Sequence, residues 1–485
     1  MSLRVLENLP LMNLDRDTGT PIYRQIYEQF REAILSGSLP PHTQLPGTRE
    51  LAMELGVSRH TALNAFELLL AEGFVAGKIG SGTYVAELPK DLVSRRANGE
   101  SRAGISPAYA VTPALFMPRP DDIGPFRTGM PALDQFPIDM WARLTSGCLR
   151  SASLRDLHYS DPSGLPALRK LIADYLSQYR AVHCEPDQVL IVTGSQQALS
   201  LVARVLLNRN DALWMEDPCY PGARYGMAVT GARLMPVPVD EEGIDIATGV
   251  ERHAKATAVY VTPSHQFPLG VTMSLRRRLE LLDWAAQCGS WIIEDDYDSE
   301  YRYDSPPLSS LHGLDHHNRV IYIGTFSKVL IPALRLGYLV VPAELAAAFR
   351  AARQADDFCP PYLPQATLAE FIRRGSFSRH IRKMRRIYRG RLTALVDALH
   401  REFGDFFELP KTVAGLNLVA WLPPAVSDTA AAKAALQAGI STSPMSRFYL
   451  SEKPRSGLFL GFGGVTPEQI DEGARRLKIA LGDFG

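Results

Sequence analysis

The chain has 485 residues, of which 46% are hydrophobic and 21% are charged. A chain of this length and composition can bury more than one hydrophobic core, so we expect a multidomain globular protein. The 52 basic and 52 acidic residues cancel, so net charge gives no general attraction to nucleic acid or to a membrane. No uncharged apolar stretch approaches the roughly 18 to 20 residues that a membrane span needs.

The amino terminus and the cysteines narrow the class of protein further. The first twenty residues lack the basic-then-apolar order of a signal peptide, so we expect a cytoplasmic protein without membrane contact. The five cysteines form no CxxC pair, which indicates neither a disulfide framework nor a thiolate metal site. We expect no metal, and each cysteine to be a small core residue.

Residues 20–87 have a helical pattern followed by a strand pattern. Thr20 and Pro21 predict the cap and the first residue of a helix, and Gly37 follows its end. The apolar residues of this helix recur on one face, namely Ile22, Ile26, Phe30, Ala33 and Ile34.

Two short helices and a hairpin follow this first helix. RELAMELG is separated by a Gly-Val turn from SRHTALNAFELLLAEG, which Ser58 can cap. The second helix is expected to bury Ala62, Ala65, Phe66, Leu69 and Leu70. FVAGKIGSGTYVAE alternates apolar residues around glycines, as a two-stranded hairpin does. The pattern predicts a winged helix-turn-helix.

The second of the two short helices has the residues that DNA recognition needs. Its amino-terminal side would lie nearest the base edges of a major groove, with Ser58, Arg59, His60, Thr61 and Asn64. Arg49 and Lys78, the latter beside the wing glycine Gly80, could bind phosphate oxygens. Residues 1–90 contain eight Lys/Arg and ten Asp/Glu, so DNA affinity would depend on local placement and on two copies. A helix-turn-helix that serves only packing is the alternative.

The stretch LPGTRELAMELGVSRHTALNAFELLLAEGFV, with GSGTYV after it, closely resembles the GntR family of bacterial regulators. The resemblance implies that Arg49, Arg59, Thr61 and the wing at Gly80 contact double-stranded promoter DNA. Gly47 stands where the family usually has serine, so a phosphate contact from that side chain is missing. We expect a DNA-binding domain over residues 1–87.

Residues 88–125 are polar, rich in Ser, Pro and Gly, and without periodicity, which predicts a flexible linker. In residues 126–485, strand-like runs such as VLIVTG, ALWMEDP, AVYVTP, SWIIEDDYD and VIYIGTFSK alternate with helical patterns. This alternation predicts an α/β fold with a mainly parallel sheet and helices on both faces. Ligands of such folds bind at the carboxyl ends of the strands.

The segment GTFSKVLIPALRLGY combines a lysine with phosphate-binding groups. Thr325, Ser327 and Arg335 suit a phosphate near Lys328. A partly desolvated lysine can form an imine with an aldehyde. Pyridoxal 5'-phosphate (PLP) carries an aldehyde, a phosphate and a ring nitrogen that needs an anionic partner, for which Asp295 is the best candidate. An isolated lysine of this kind would be only a solvated surface residue.

Three further groups fit the same cofactor. Tyr297 could hydrogen-bond the ring hydroxyl, and Tyr220 could stack on the ring. Ser195 and Gln196 open a helix, whose free N–H groups suit a phosphate. His265 could line the pocket or have a buried structural role, as could Gln266.

These motifs resemble those of the PLP-dependent fold-type I aminotransferases over residues 126–485. The resemblance implies that Lys328 is the Schiff-base lysine, with Asp295 at the ring nitrogen and Tyr297 at the ring hydroxyl. It also implies a homodimer in which Tyr159 reaches the phosphate of the neighbouring subunit.

A winged helix-turn-helix joined to such a body resembles the MocR subfamily of GntR regulators, as do TPSHQFPLG, IIEDDYDSEYRY and MSRFYL. The resemblance implies a transcriptional regulator that senses an amine effector and controls a neighbouring operon. Arg447 would bind an effector carboxylate beside Tyr220, although a surface role is the alternative. The GABA-responsive type has a second arginine where Gly222 stands, which argues against GABA, and Arg224 is near enough to substitute. The rival functions are an active aminotransferase with a DNA-binding head and a cofactor-free dimerisation scaffold.

Overall fold

The computed structural model describes residues 14–78, 82–87, 124–303, 308–411, 413–450 and 455–482. Contacts divide the chain into two compact units between residues 106 and 107. That division falls inside the predicted linker, of which residues 88–123 lie outside the described ranges. None of the helices in the described ranges is both long and apolar enough to cross a bilayer.

The first unit is the predicted winged helix-turn-helix. Its elements are α1 (Ile22–Leu35), α2 (Thr48–Glu54), α3 (Arg59–Ala71), β1 (Val75–Lys78) and β2 (Gly82–Val85). The two strands pair antiparallel. Helix α1 begins one residue later than expected, because Pro21 has an extended ψ of 137° and so lies at the cap position.

The core of the first unit lies between α1 and α3. Phe30 and Phe66 meet edge to face with their ring centroids 5.6 Å apart, and Leu69 is fully buried beside them. The expectation that Leu70 faces inward is wrong, since its side chain is 52% exposed. Successive helical residues are about 100° apart, so Leu69 and Leu70 cannot both face a core that lies on one side of α3.

The second unit holds a large mixed sheet and a smaller one. Its helices are α4 (Ile138–Ser151), α5 (Pro166–Arg180), α6 (Ser195–Leu206), α7 (Pro221–Ala228), α8 (Ile246–His253), α9 (Leu275–Cys288), α10 (Ala346–Asp357), α11 (Tyr362–Arg373), α12 (Ser376–Phe403), α13 (Asp428–Gln437) and α14 (Pro467–Ala480). Its strands are β3 (Val189–Val192), β4 (Ala212–Asp217), β5 (Arg233–Asp240), β6 (Gly243–Ile244), β7 (Ala258–Val261), β8 (Trp291–Asp296), β9 (Val320–Thr325), β10 (Gly337–Val340), β11 (Asn417–Trp421), β12 (Ser443–Pro444) and β13 (Gly457–Gly461).

The large sheet has the order β3-β10-β9-β8-β7-β4-β5-β6. Neighbouring strands from β9 through β5 pair in parallel, whereas β10 runs antiparallel to both of its neighbours. Apolar clusters cover both faces of the sheet, as predicted. A three-stranded antiparallel sheet, β11-β13-β12, packs with α12 and α14 around a separate core.

Parallel pairing brings the chemistry-bearing residues to one edge of the sheet. Asp295 lies near the carboxyl end of β8, and Thr325 is the last residue of β9. Ser195 opens α6 after β3, and Tyr220 lies between β4 and α7.

The cysteines only partly follow the expectation of small core residues. All five are free thiols, and Cys148 and Cys219 are buried. Cys184 and Cys359 are partly exposed, and Cys288 is exposed because it ends the amphipathic helix α9 on its outer side.

Candidate functional site

A cavity of about 190 Å³ lies at the carboxyl edge of the large sheet. Nine of the residues predicted from the sequence line it, namely Ser195, Gln196, Tyr220, Asp295, Tyr297, Thr325, Ser327, Lys328 and Arg335. The lining also includes Gly129, Tyr260, Phe267, Pro332 and Asn417, which the sequence did not single out. The cavity combines a lysine, a carboxylate, an arginine and several hydroxyl groups.

The Lys328 side chain is held by a segment from far away in the chain. Its Nζ donates a hydrogen bond to the carbonyl oxygen of Gly129 at 2.7 Å, and the Gly129 N–H donates to Asn417 Oδ1 at 2.8 Å. A Cβ at Gly129 would lie 2.9 Å from Nζ, at a backbone φ of +70°. Burial lowers the pKa of Lys328, although the carboxylates of Asp298 and Asp295 act in the opposite direction. The sequence signal that could have revealed Asn417 is a polar residue at the start of the otherwise apolar run NLVAW.

Asp295 is a buried carboxyl group with one oxygen left unsatisfied. Its Oδ2 accepts a hydrogen bond from Tyr260 Oη at 2.8 Å, whereas its Oδ1 is buried with no hydrogen-bond partner in the described part of the chain. Burial raises the pKa of Asp295 to about 7. A buried polar atom without a partner is costly, so this oxygen suits a ligand that supplies a hydrogen-bond donor.

The opposite end of the cavity is suited to an anion. Helix α6 begins there at Ser195, with Gly194 at a φ of +117° before it. A Cβ at Gly194 would lie 3.4 Å from Arg335 Nη1, so the guanidinium packs against the start of the helix. Thr325 Oγ1 accepts a hydrogen bond from the Ser327 N–H at 3.2 Å. A helix amino terminus with an arginine and two hydroxyl groups can bind a phosphate.

An aromatic wall closes the side of the cavity. The rings of Tyr220 and Phe267 meet edge to face at 5.4 Å, and burial raises the pKa of Tyr220 to about 12. A Cβ at Gly222 would lie 2.5 Å from the Tyr220 ring and 2.6 Å from Gln196 Oε1. An arginine at position 222 would therefore have to displace Tyr220.

The hydroxyl group of Tyr297 contacts a histidine. Its Oη lies 3.1 Å from His265 Nδ1, and the same Nδ1 lies 3.0 Å from Asp298 Oδ1. Gln266 instead donates hydrogen bonds to Glu216 Oε2 and to two backbone carbonyls. Gln266 thus has the structural role that was one of its two alternatives.

Like His265 and Gln266, three further predicted residues are not part of the cavity lining. Arg447 lies in a short 3-10 helix over residues 445–448, and burial lowers the pKa of its guanidinium. Arg224 Nη1 donates to the carbonyl oxygens of Arg447 and Tyr449 at 3.3 and 3.1 Å, so it holds the segment that carries Arg447. Tyr159 is 73% exposed, with its ring 4.8 Å from that of Phe358.

Most of the predicted DNA-contacting residues lie on α3 or at its cap, and Arg49 lies on α2. Ser58 caps α3, because its Oγ accepts a hydrogen bond from the Thr61 N–H at 3.1 Å. Ser58, Arg49, Arg59 and His60 are exposed, while Thr61 and Asn64 are partly exposed. The Lys78 side chain and Gly80 lie outside what the structure describes.

Comparison with known proteins defines the class of the second unit. Residues 132–477 match the family "Aminotransferase class I and II". The crystal structure of LysN, an alpha-aminoadipate aminotransferase from Thermus thermophilus complexed with N-(5'-phosphopyridoxyl)-L-leucine, superposes with a TM-score of 0.69 at 32% sequence identity. The match covers 75% of this chain and 92% of that one. The second unit is a fold-type I aminotransferase domain.

Full-length relatives define the family of the whole chain. Residues 22–85 match "Bacterial regulatory proteins, gntR family". The probable rhizopine catabolism regulatory protein MocR of Rhizobium meliloti is 41% identical, over 97% of this chain and 96% of its own. The HTH-type transcriptional regulator TauR of Rhodobacter capsulatus is 32% identical, over 95% and 96% of the two chains. The chain belongs to the MocR family of helix-turn-helix transcriptional regulators with an aminotransferase-like domain.

Proposed function

We propose that this MocR-type regulator binds PLP at Lys328 and uses it to sense an effector that carries an amino group. The observation that carries the proposal is the cavity in which the half-buried Lys328 lies together with Asp295 Oδ1, an oxygen that has no hydrogen-bond partner among the described residues. The lysine suits an aldehyde, and the carboxyl oxygen suits the protonated ring nitrogen of the same molecule.

The residues of the cavity fit the remaining parts of PLP. Arg335, Ser327, Thr325 and the helix start at Ser195 and Gln196 would hold the phosphate, Tyr297 the ring hydroxyl and Tyr220 the ring face. When bound, PLP supplies an aldehyde carbon that can be exchanged between the lysine amine and an effector amine.

The chain's own groups prepare Lys328 for that exchange. Burial lowers the pKa of its amine, so the neutral and nucleophilic form is more accessible than for a surface lysine. The Gly129 carbonyl oxygen fixes the position of Nζ. Arg447 would bind the effector carboxylate beside Tyr220. Since glycine stands at position 222, where the GABA-responsive type has its second arginine, and Arg224 donates to backbone carbonyl oxygens, we propose an effector other than GABA.

Effector binding must then reach DNA. We propose a cytoplasmic homodimer whose two heads bind a pair of half-sites in the promoter of a neighbouring metabolic operon. Arg49, Arg59, Thr61 and the wing at Gly80 would contact that DNA, together with Ser58, His60, Asn64 and Lys78. An effector shifts the equilibrium of such a dimer only if it binds one conformation more tightly than another.

The decisive experiment is borohydride reduction of PLP-loaded protein followed by peptide mass spectrometry. We expect one pyridoxyl adduct, on the peptide that contains Lys328. Lys328→Ala should abolish both the adduct and the visible absorbance of bound PLP, whereas Lys383→Ala, at an exposed lysine of α12, should retain both. Wild-type protein without an adduct on Lys328 would contradict the proposal.

A second experiment separates the sensor from an active aminotransferase. A panel of amino acids is added to the PLP-loaded protein with a keto-acid acceptor, and absorbance and product are followed together. We expect a change in absorbance without sustained turnover. Turnover near the median enzymatic rate of roughly 10 per second would favour the enzyme.

A further inference from the structure

Tyr297, His265 and Asp298 form a chain of polar groups beside Lys328, in which His265 and Asp298 are buried. His265 Nδ1 is the shared atom, 3.1 Å from Tyr297 Oη and 3.0 Å from Asp298 Oδ1. Of the three, only Tyr297 lines the cavity. The other two do not line it, and His265 contacts Tyr297 directly.

The chemistry of Asp298 decides which group carries each hydrogen. A carboxylate can only accept hydrogen bonds, so Nδ1 of His265 must carry the hydrogen that the two share. The same N–H also lies within hydrogen-bond distance of Tyr297 Oη, which then accepts from His265 as the second acceptor of a bifurcated bond. The phenolic hydrogen of Tyr297 cannot point back at a ring nitrogen that is already protonated, so it is directed elsewhere.

The pair is enclosed so that water does not compete for these bonds. The side chains of His265 and Asp298 are only 8% and 1% exposed. Gly415 covers them, because a Cβ there would lie 2.1 Å from Asp298 Oδ2 and 2.5 Å from His265 Cε1. A Cβ at Gly270 would lie 3.3 Å from His265 Nε2 on the other side. The imidazole is thus closely packed by these two backbone segments.

The charged groups around Tyr297 keep its hydroxyl protonated. Burial raises its pKa well above the usual value, and the carboxylates of Asp298, Asp295, Glu216 and Asp296 raise it further. Tyr297 therefore stays a neutral phenol. Because His265 donates to its oxygen, the phenolic hydrogen is available for a hydrogen bond to another group.

We propose that Asp298 and His265 are positioning residues that turn the hydroxyl hydrogen of Tyr297 into the cavity, where it donates to the ring oxygen of PLP. This inference rests on the proposed function, since PLP is the acceptor. It assigns to Asp298 a role in orienting the hydroxyl hydrogen of Tyr297.

A double-mutant cycle on the full-length protein tests the inference, with the dissociation constant for PLP measured by absorbance titration. Asp298→Asn and Tyr297→Phe should each weaken PLP binding by about tenfold, as expected for one lost hydrogen bond to a charged group. Because both act through the same hydroxyl, the double variant should be within about twofold of Tyr297→Phe. Fully additive effects would overturn the inference, since they would make Asp298 a general electrostatic neighbour.

A conservative pair at position 265 provides an independent test. His265→Asn keeps an N–H donor near the place of Nδ1, whereas His265→Leu removes it. We expect His265→Asn to bind PLP within about threefold of wild type and His265→Leu about tenfold more weakly. The pH midpoint of the visible absorbance should likewise stay close to the wild-type value in His265→Asn and move further from it in His265→Leu. Equal losses in both variants would contradict the inference, even if Asp298→Asn fails to fold.

The outcomes separate the two proposals. Wild-type protein that takes up no PLP would end the proposed function, and this inference with it. Wild-type protein that forms the Lys328 adduct but gives an additive cycle would end the inference alone.

Discussion

Burial moves the pKa values of Asp295 and Lys328 in opposite directions within one cavity. The pKa of the carboxyl group rises to about 7, and the pKa of the amine falls. Both shifts have the same physical cause, because a buried group loses the hydration of its charged form. A ligand that carries a complementary charge or a hydrogen-bonding atom would therefore stabilise the charged form of either group.

The raised pKa of Asp295 predicts a pH dependence of stability in protein without PLP. Between the unfolded pKa near 4 and the folded pKa of about 7, the folded state binds more protons, so its stability falls as pH rises. Asp295→Asn should remove this contribution, which is a few kcal/mol at most since one pKa unit corresponds to about 1.4 kcal/mol. Thermal unfolding from pH 4 to pH 8 measures it.

Asp174→Asn is the matched control for this prediction, since Asp174 is exposed on α5. It should leave the pH dependence of unfolding unchanged. An Asp295→Asn variant whose stability declines with pH as steeply as that of the wild type would show that the carboxyl group is ionised in the folded protein.

Helix α3 of the DNA-binding unit has one core-facing side, and its two adjacent leucines test this. Leu69 is fully buried, whereas Leu70 is 52% exposed. Leu69→Ala should destabilise the unit by about 2 to 5 kcal/mol. Leu70→Ala should change the free energy of unfolding by less than about 0.5 kcal/mol. Chemical denaturation followed by circular dichroism distinguishes them, and similar losses in both variants would contradict the packing.

The start of α3 also carries the prediction for DNA. Arg59 is exposed at the first position of the helix, directly after the cap Ser58. Arg59→Ala should weaken binding to DNA from the adjacent intergenic region by about 1 to 3 kcal/mol if Arg59 contacts a base, or lower the salt slope by about 1 if it contacts a phosphate. Fluorescence anisotropy at several salt concentrations distinguishes these outcomes. Arg24→Ala, at an exposed arginine of α1, should change neither, and full binding by Arg59→Ala would exclude the predicted contact.

At the scale of the whole molecule, the second unit has an exposed apolar segment before α5. Leu154, Leu157 and Tyr159 are 88%, 62% and 73% exposed. Exposed apolar residues grouped in this way are typical of an interface. The position of Tyr159 outside its own cavity is compatible with the predicted contact to a partner's phosphate.

Complementation tests the predicted dimer. Tyr159→Ala removes a residue from the partner's site, and Lys328→Ala removes one from its own. In a mixture of the two variants, each mixed dimer should have one complete site, so about a quarter of all sites should regain wild-type affinity for PLP after subunit exchange. Absorbance of bound PLP at limiting concentration measures this. No recovery in dimers shown to be mixed would place Tyr159 outside the partner's site.

Local sequence patterns were enough to predict the elements and much of the site. Hydrophobic periodicity and turn residues predicted the winged helix-turn-helix and the alternating strands. A lysine, an aspartate and a tyrosine that lie at or just beyond the carboxyl ends of parallel strands meet because all such strands end at one edge. Lys328, Asp295 and Tyr220 were found in this way, with family resemblance adding their roles.

The distant segments that complete the cavity could be identified only in the folded chain. Gly129 contacts Lys328, which is 199 residues away along the chain, and Asn417, which is 288 residues away. No local sequence pattern encodes such contacts. Tertiary packing also explains three other features that no local pattern predicted. These are the close approach of Gly222 to Tyr220, the pairing of His265 with Asp298 and the exposure of Leu70. Hydrophobic periodicity predicts which face of an element is buried. The residues that contact that face depend on packing between elements far apart in the chain.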